Sequence, residues 1–436
     1  MRRTLPALVV MIALIVAACS SSAGDSASPG ASAAASAPAA SEAASASAAA
    51  STGAEFDPNA VTGEARLSGW QSSDAESAAL ADTIASFETA YPNVAVDYQV
   101  VAGDYPTVMA ADFAARDVPD LFYVDASYAQ PWSEQGFLEP LDDYIAKSGF
   151  DTSTFFPGYL SVFTGADGKI YGLPKDGNTI GMAYNSDLVP TAPTTLDELV
   201  TVAESLKGKE GLMAPMCLNP GLDRGLAFIY AQGGSLLTED NAAEAIDTEA
   251  STAAVQWYLD LFKNGLGMTA GDMGDGWCGD SIGKGNAAIT FEGGWLDPAM
   301  TSTYPDIKYA WAPMPTGSSG QPVTISYTAS YSIGADSANK DQAWVLLQYL
   351  AGIDGMTKWT EGGVALPSRS DVPTPAGKDV LVAQAEVAKP GSGFMPDYAD
   401  VQKAFQDAAT AEIQNGTFSA APVVEATKTA IDAALQ

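Results

Sequence analysis

The chain has 436 residues, with 20 Lys and Arg against 53 Asp and Glu for a formal charge of −33, three Cys and no His. That length allows roughly two or three domains with large cores, and 47% hydrophobic with 17% charged residues is a globular composition. The acidity excludes nucleic acid and anionic membranes as partners, because both need basic patches. The absence of His excludes His-activated Ser or Cys nucleophiles, imidazole zinc sites and the usual proton shuttle. Carboxylate chemistry survives.

At the start, Arg2-Arg3 precedes an apolar run from Ala7 to Ala18. The run falls well short of the ~20 residues a spanning helix needs, which makes residues 1–18 a signal peptide. It ends Val16-Ala17-Ala18-Cys19, which resembles the lipobox of bacterial lipoproteins. That resemblance implies cleavage before Cys19 and a lipid on its thiol; an ordinary cleavage site beside an incidental Cys is the alternative. The segment that follows is almost wholly Ala and Ser and has nothing to bury, so a flexible spacer is expected over 19–61. Anchor and spacer together place the folded body outside the cytoplasm, tethered to the bacterial cell membrane. An oxidising compartment favours a disulfide between Cys217 and Cys278, worth about 4 kcal/mol in the chain-entropy picture; two free buried thiols are the alternative.

The body alternates strand and helix. Residues 63–70 read as a strand, and Ser73 with Glu76 forms a capping box for a helix carrying Leu80, Ile84 and Phe87, stopped at Tyr91-Pro92. Val94, Val96, Tyr98 and Val100 alternate as a second strand. A helix over 105–116 then leads to the apolar run 119–124, a buried parallel strand with Asp125 at its carboxyl end. This β-α-β-α-β order implies a parallel sheet with ligands at the strand C-termini. A hairpin is expected over 162–174 around Asp167-Gly168, then a strand over 179–184. Thr195 with Glu198 opens a further helix, stopped at Gly208. Later helices are legible over 251–263, over 339–350 and near the C-terminus.

Four segments occur in a recognisable order. Asp167-Gly168-Lys169-Ile170-Tyr171-Gly172-Leu173-Pro174 precedes Tyr184-Asn185-Ser186-Asp187-Leu188, and Pro193-Thr194-Thr195-Leu196-Asp197-Glu198-Leu199 follows. Gly283-Lys284-Gly285-Asn286-Ala287-Ala288-Ile289 comes last, with Glu292-Gly293-Gly294-Trp295. From about Glu64 onward the chain resembles family 1 extracellular solute-binding proteins, carbohydrate-binding subunits of ABC importers related to maltose- and trehalose-binding proteins. The resemblance implies an α/β, two-lobed periplasmic-binding-protein fold (type II-like), each lobe a mostly parallel sheet flanked by helices. It places lobe one at 62–175 plus 292–327 and lobe two at 179–288 plus 332–436, with hinge segments near 175–180, 289–292 and 328–332. Cys217 and Cys278 then share one lobe, so a bridge between them leaves the clamp free to close.

A sugar needs planar, charge-assisted hydrogen-bond partners for its hydroxyls and aromatic faces for its C–H patches. Trp70 ends the first strand where the crevice opens, with core packing as the alternative. Asp125 reads as a hydroxyl acceptor or a helix cap, and Asp176 as a sugar ligand or a solvated hinge charge. Trp295 is the strongest stacking candidate by family resemblance, with Gly293 and Gly294 giving the backbone close approach. Tyr331 stacks, donates or packs in the core; Arg369 forks two hydroxyls or makes an ion pair. Trp277 and Asp280, beside Cys278, form a second tier. Trp344 and Trp359 fall within helices and read as core.

The expected function is capture of a mono- or oligosaccharide between the lobes and delivery to ABC permease subunits, by a monomer without catalysis, cofactor or metal. The acidity keeps open the same clamp holding a polyamine or another cation. A third reading is an anchored carbohydrate-active enzyme, which needs two carboxylates at a defined separation that the sequence does not pair. The acidic cluster Asp272, Asp275 and Asp280 lacks calcium-loop spacing.

Overall fold

The computed structural model describes residues 55–70, 74–101, 104–363 and 365–436. The expected signal peptide, Cys19 and the helix cap at Ser73 lie outside the described residues. The strands are β1 (Gly63–Gly69), β2 (Val94–Val100), β3 (Leu121–Asp125), β4 (Leu173–Thr179), β5 (Gly181–Asn185), β6 (Met216–Cys217), β7 (Gly267–Met268), β8 (Ile289–Glu292), β9 (Tyr309–Ala312), β10 (Thr324–Ile333) and β11 (Ala388–Pro390). They form two sheets flanked by helices, one ordered β11-β10-β3-β1-β2 with β4 on β10, the other β7-β6-β8-β5-β9.

The first sheet begins as the sequence implies. β1 pairs in parallel with β2 and β3, and the helices α1 (Asp74–Ala90) and α2 (Tyr105–Ala115) fill the crossovers. Leu121 to Val124 of β3 are all buried, as a parallel strand covered on both faces requires. Each sheet is completed antiparallel: β10 runs against β3 and β4, and β5 runs against β8 and β9.

Each sheet builds its own core. Leu67, Phe122, Leu173, Tyr331, Trp344 and Trp359 belong to the first, and Ile180, Met216, Phe228, Phe291, Ile325 and Phe405 to the second. Two strands therefore pass between cores: β4 leaves Leu173 in the first and leads to Ile180 in the second, while β10 leaves Ile325 in the second and Tyr331 in the first. The third passage lies between Val372 and Met395. There Leu381 O accepts from Thr179 Oγ1 at 2.6 Å and Gln384 Oε1 from Met314 N at 2.8 Å.

Several expectations change accordingly. The segment 289–292 is no crossing, because β8 lies inside the second sheet between β6 and β5. Residues 292–323 belong with the second sheet rather than the first lobe: Leu296 and Met300 pack on Ala183 and Ile282, and β9 pairs with β5. Residues 332–372 belong with the first, since Trp344, Leu347, Met356 and Val372 fill its core. The spacer cannot extend to 61, because Phe56 and Val61 already pack on that core and Phe56 N–H donates to Lys147 O at 3.0 Å. The expected hairpin reduces to one bridge, Thr164 to Ile170, around a turn where Gly168 has φ +79°.

Cys217 and Cys278 are joined, closing a separation of 61 residues within the second half. Replacing both with Ser is expected to lower unfolding free energy by about 2–4 kcal/mol, read from urea titrations with the wild-type protein under reductant as control.

Candidate functional site

The β4–β10 ribbon carries the chemistry. Asn178 stands opposite Tyr327 and Asp176 opposite Ala329. Opposed residues in an antiparallel pair share a face, and so do alternate residues along a strand. Asp176, Asn178 and Tyr327 therefore leave the ribbon on one side, with about 7 Å of strand between the first two. The register jumps between Ala329 and Ser330, which leaves Lys175 as an extra residue. Such a bulge re-aims its side chain, and Lys175 meets Asp176 instead of pointing away from it.

Around Lys175 the first sheet contributes a polar and aromatic group. Its side chain is 3% exposed, and its ammonium pairs with Asp176 and lies 3.7 Å from Glu76 of α1. It sits 4.4 Å from the Trp359 ring centroid and 5.0 Å from that of Tyr123. Trp359 Nε1–H donates to Asp176 Oδ2 at 3.1 Å. Trp70 is half-buried, edge-on to both Tyr105 and Tyr123 with centroids 5.1 Å away. Trp70 and Asp176 thus belong to one group, linked through Tyr123 and Lys175.

The second sheet contributes a matching group beyond Asn178. Glu292, at the end of β8, accepts at Oε2 from Arg224 Nη2 at 2.6 Å, Arg224 Nε at 3.2 Å and Trp295 Nε1 at 2.8 Å. The Arg224 guanidinium lies 5.0 Å from the half-buried Trp295 ring. Tyr327 stands edge-on to that ring at 6.1 Å and donates its hydroxyl to Asp223 O at 2.6 Å. Asn178 Oδ1 accepts from Gly294 N at 3.0 Å, tying the ribbon to the Trp295 turn. A Cβ on Gly293 would come within 2.4 Å of the Trp295 ring. Here the glycine makes room for the protein's own indole. Burial pulls the Arg224 pKa down, but Glu292 and Asp223 outweigh it and hold the guanidinium above its ordinary value. Burial raises the Asp223 carboxyl despite Arg224 beside it.

Other expected site residues are committed elsewhere. Asp125 caps the helix Ala126–Glu134, accepting from Ser127 N at 2.9 Å and Ser127 Oγ at 2.5 Å. Tyr331 is 1% exposed and packs on Tyr123 inside the first core. Arg369 makes a two-pronged ion pair with Asp371, both contacts 2.8 Å, and its Nη1–H donates to Asp151 O and Ala351 O. Asp280 accepts from Tyr304 at 2.9 Å, and Trp277 packs with Leu296 and Met300 in a separate cluster. The disulfide lies behind the Arg224–Glu292 pair, lining a small cavity with both. Lys175, Asn178, Asp223, Arg224 and Tyr327 escape sequence reading. The run Lys175-Asp176-Gly177-Asn178, without an apolar side chain inside a largely buried strand, is a signal for Lys175 and Asn178 alone. A groove of about 1490 Å³ between Gln130, Thr164, Tyr230 and Lys389 contains none of the residues of either group.

Residues 69–357 match the family described as bacterial extracellular solute-binding protein. The chain belongs to that family. A binding protein of Brucella abortus is 26% identical over 328 residues, covering 72% of this chain and 77% of its own. The sugar-binding protein MalE of Xanthomonas citri shares the fold at TM-score 0.75 and 21% identity, covering 86% of this chain and 97% of its own. The cyclic α-maltosyl-1,6-maltose binding protein of Arthrobacter globiformis does so at TM-score 0.73 and 21% identity, covering 86% and 99%. Family and fold are those of substrate-binding proteins, not enzymes. No helix among the described residues is long and apolar enough to cross a membrane.

Two outcomes follow for this solute-binding protein. A carboxyl whose folded pKa is raised costs stability while ionised, and the cost disappears as pH falls through that raised value toward the ordinary one. Asp223→Asn is therefore expected to raise the thermal midpoint at pH 7 and to leave it unchanged near pH 3. Arg369→Met leaves Asp371 and two carbonyls without their donor. It is expected to lower the unfolding free energy, read from urea titrations, by about 3–5 kcal/mol, while ligand affinity stays at the wild-type value in calorimetry.

Proposed function

We propose that this protein captures a neutral mono- or oligosaccharide between its two sheets and hands it to the permease of an ABC importer. The observation that carries the reading is Trp295: a half-buried indole fixed by Glu292, beside Tyr327 and within reach of the ribbon residue Asn178. An indole held in place offers a sugar's C–H patch a surface already ordered before binding. The amide of Asn178 and the rim of Asp176 and Asp223 supply hydrogen-bond partners for hydroxyls. The sugar ligands in the names of the Xanthomonas citri and Arthrobacter globiformis proteins support the same class. Against a polyamine stands the use already made of the carboxylates: Glu292 Oε2 and Asp176 Oδ2 each accept from an indole and pair with an internal cation. In this reading the chain is a lipoprotein, anchored through Cys19 outside the cytoplasm.

A ligand that binds only the folded state raises its stability, by about 2.7 kcal/mol at a hundredfold excess over Kd. A thermal-shift panel of glucose, maltose, trehalose, maltodextrins, xylo-oligosaccharides and polyamines is expected to move the midpoint with a saccharide and not with a polyamine. Trp295→Ala is expected to abolish that shift and to lower the unliganded midpoint only slightly. A panel in which polyamines alone act would replace the saccharide reading with the cation one.

A further inference from the structure

The two groups repeat one arrangement on different scaffolds. In each, an indole N–H donates to a carboxylate, the carboxylate pairs with a cation, and the cation lies over the same indole. The members are Trp359, Asp176 and Lys175 on the first sheet's side, and Trp295, Glu292 and Arg224 on the second's. Both cations are therefore spoken for before any ligand arrives. Arg224, with its side chain 16% exposed, gives Nε and Nη2 to Glu292, Nε also to Phe291 O, and Nη1 to Asp223 O. Glu292 is 6% exposed in its side chain, so water does little to weaken its hold. Glu76 beside Lys175 and Asp223 beside Arg224 add a second carboxylate to each group.

We propose that Glu292 is a specificity-determining residue: it withholds Arg224 from acidic sugars, so that the site takes uncharged saccharides and turns uronic acids away. The inference rests on the saccharide reading above. A ligand carboxylate entering beside Trp295 would face carboxylates that outnumber the cations and a guanidinium whose fork is already filled. It would have to displace Glu292, leaving a buried carboxylate without its partner. A neutral sugar displaces nothing. Exclusion by an unfavourable charge next to an otherwise suitable surface is the repulsive half of specificity. Removing the charge of Glu292 while keeping its shape releases the Arg224 fork, whose planar donors match a carboxylate.

The test is calorimetric titration of the full folded chain with maltose and galactose against glucuronate and galacturonate, for wild type, Glu292→Gln and Glu292→Gln with Arg224→Gln. Wild type is expected to bind a neutral sugar at least about tenfold tighter than either uronate. Glu292→Gln is expected to narrow that gap about tenfold or more through tighter uronate binding that weakens with added salt. The double variant, which replaces the ion pair with two amides, is expected to lose uronate binding again. Wild type binding a uronate as tightly as a neutral sugar overturns the inference and leaves the saccharide reading standing. Wild type binding none of the four probes, nor any saccharide of the thermal-shift panel, removes that reading and the inference with it. Should Glu292→Gln alone unfold in circular dichroism, the double variant and Glu292→Asp decide. A gain of uronate binding by either, with neutral binding retained, overturns the role given to the charge of Glu292.

Discussion

The pairing of β4 with β10 is the constraint on which the arrangement depends. These strands are shared between cores: Leu173 and Tyr331 lie in one, while Ile325 and the residue following β4, Ile180, lie in the other. A backbone ladder with side chains buried at both ends cannot slip by one residue without turning every side chain to the wrong face. Register therefore fixes where Asp176, Asn178 and Tyr327 stand, whatever the remaining loops do. The bulge at Lys175 is the one departure. It brings a cation to the same place as Asp176, which a regular strand would have prevented.

Placing charges at a half-buried junction is costly, and the structure meets that cost locally. A buried carboxylate or guanidinium without partners is strongly unfavourable, and a pair survives only when its remaining donors and acceptors are also satisfied. Glu292 Oε2 receives three donors, and Arg224 shares its Nε–H with the carbonyl of Phe291 and gives Nη1–H to that of Asp223. The indoles enter the same accounts twice, as N–H donors and as faces for the cations. One consequence is rigidity: Trp295 cannot rotate without breaking its bond to Glu292. A ligand that uses this indole meets a surface whose rotamer freedom is already spent.

How much of this was legible in sequence depended on range. The β-α-β-α-β start, the Thr195 cap and the helix over 340–350 follow from signals within a turn or two of the chain, and they stand where expected. Trp295 and Glu292 stand in one contiguous segment, Glu292-Gly293-Gly294-Trp295, and the bond between them spans only three residues. Asp125 stays open between a cap and a hydroxyl acceptor in sequence, because both ask for the same residue at the end of a strand; the bonds to Ser127 show the cap. Arg369 is open in the same way between forking hydroxyls and an ion pair, and the structure shows the ion pair, with Asp371 two residues away. Arg224 was invisible, since its partner Glu292 lies 68 residues on and nothing local marks either as half of a pair. Trp359 was legible as core, and core it is, but its bond to Asp176 spans 183 residues.

The lobe boundaries went astray where the chain crosses between cores. Composition does not change at such a point: β10 is as buried where it packs with Ile325 as where it packs with Tyr331. A fold whose halves each borrow from the middle and the end of the chain leaves no linker to read, since linkers advertise themselves by being polar and exposed. That same concealment has a mechanical use. Two of the three passages are themselves paired strands, with the helix Asp379–Ala383 bonded to Thr179 beside them, so the halves are joined by a shared hydrogen-bonded ladder as well as by the chain. Each indole–carboxylate–cation set finds its partners within itself, Trp359 with Asp176 and Lys175, Trp295 with Glu292 and Arg224.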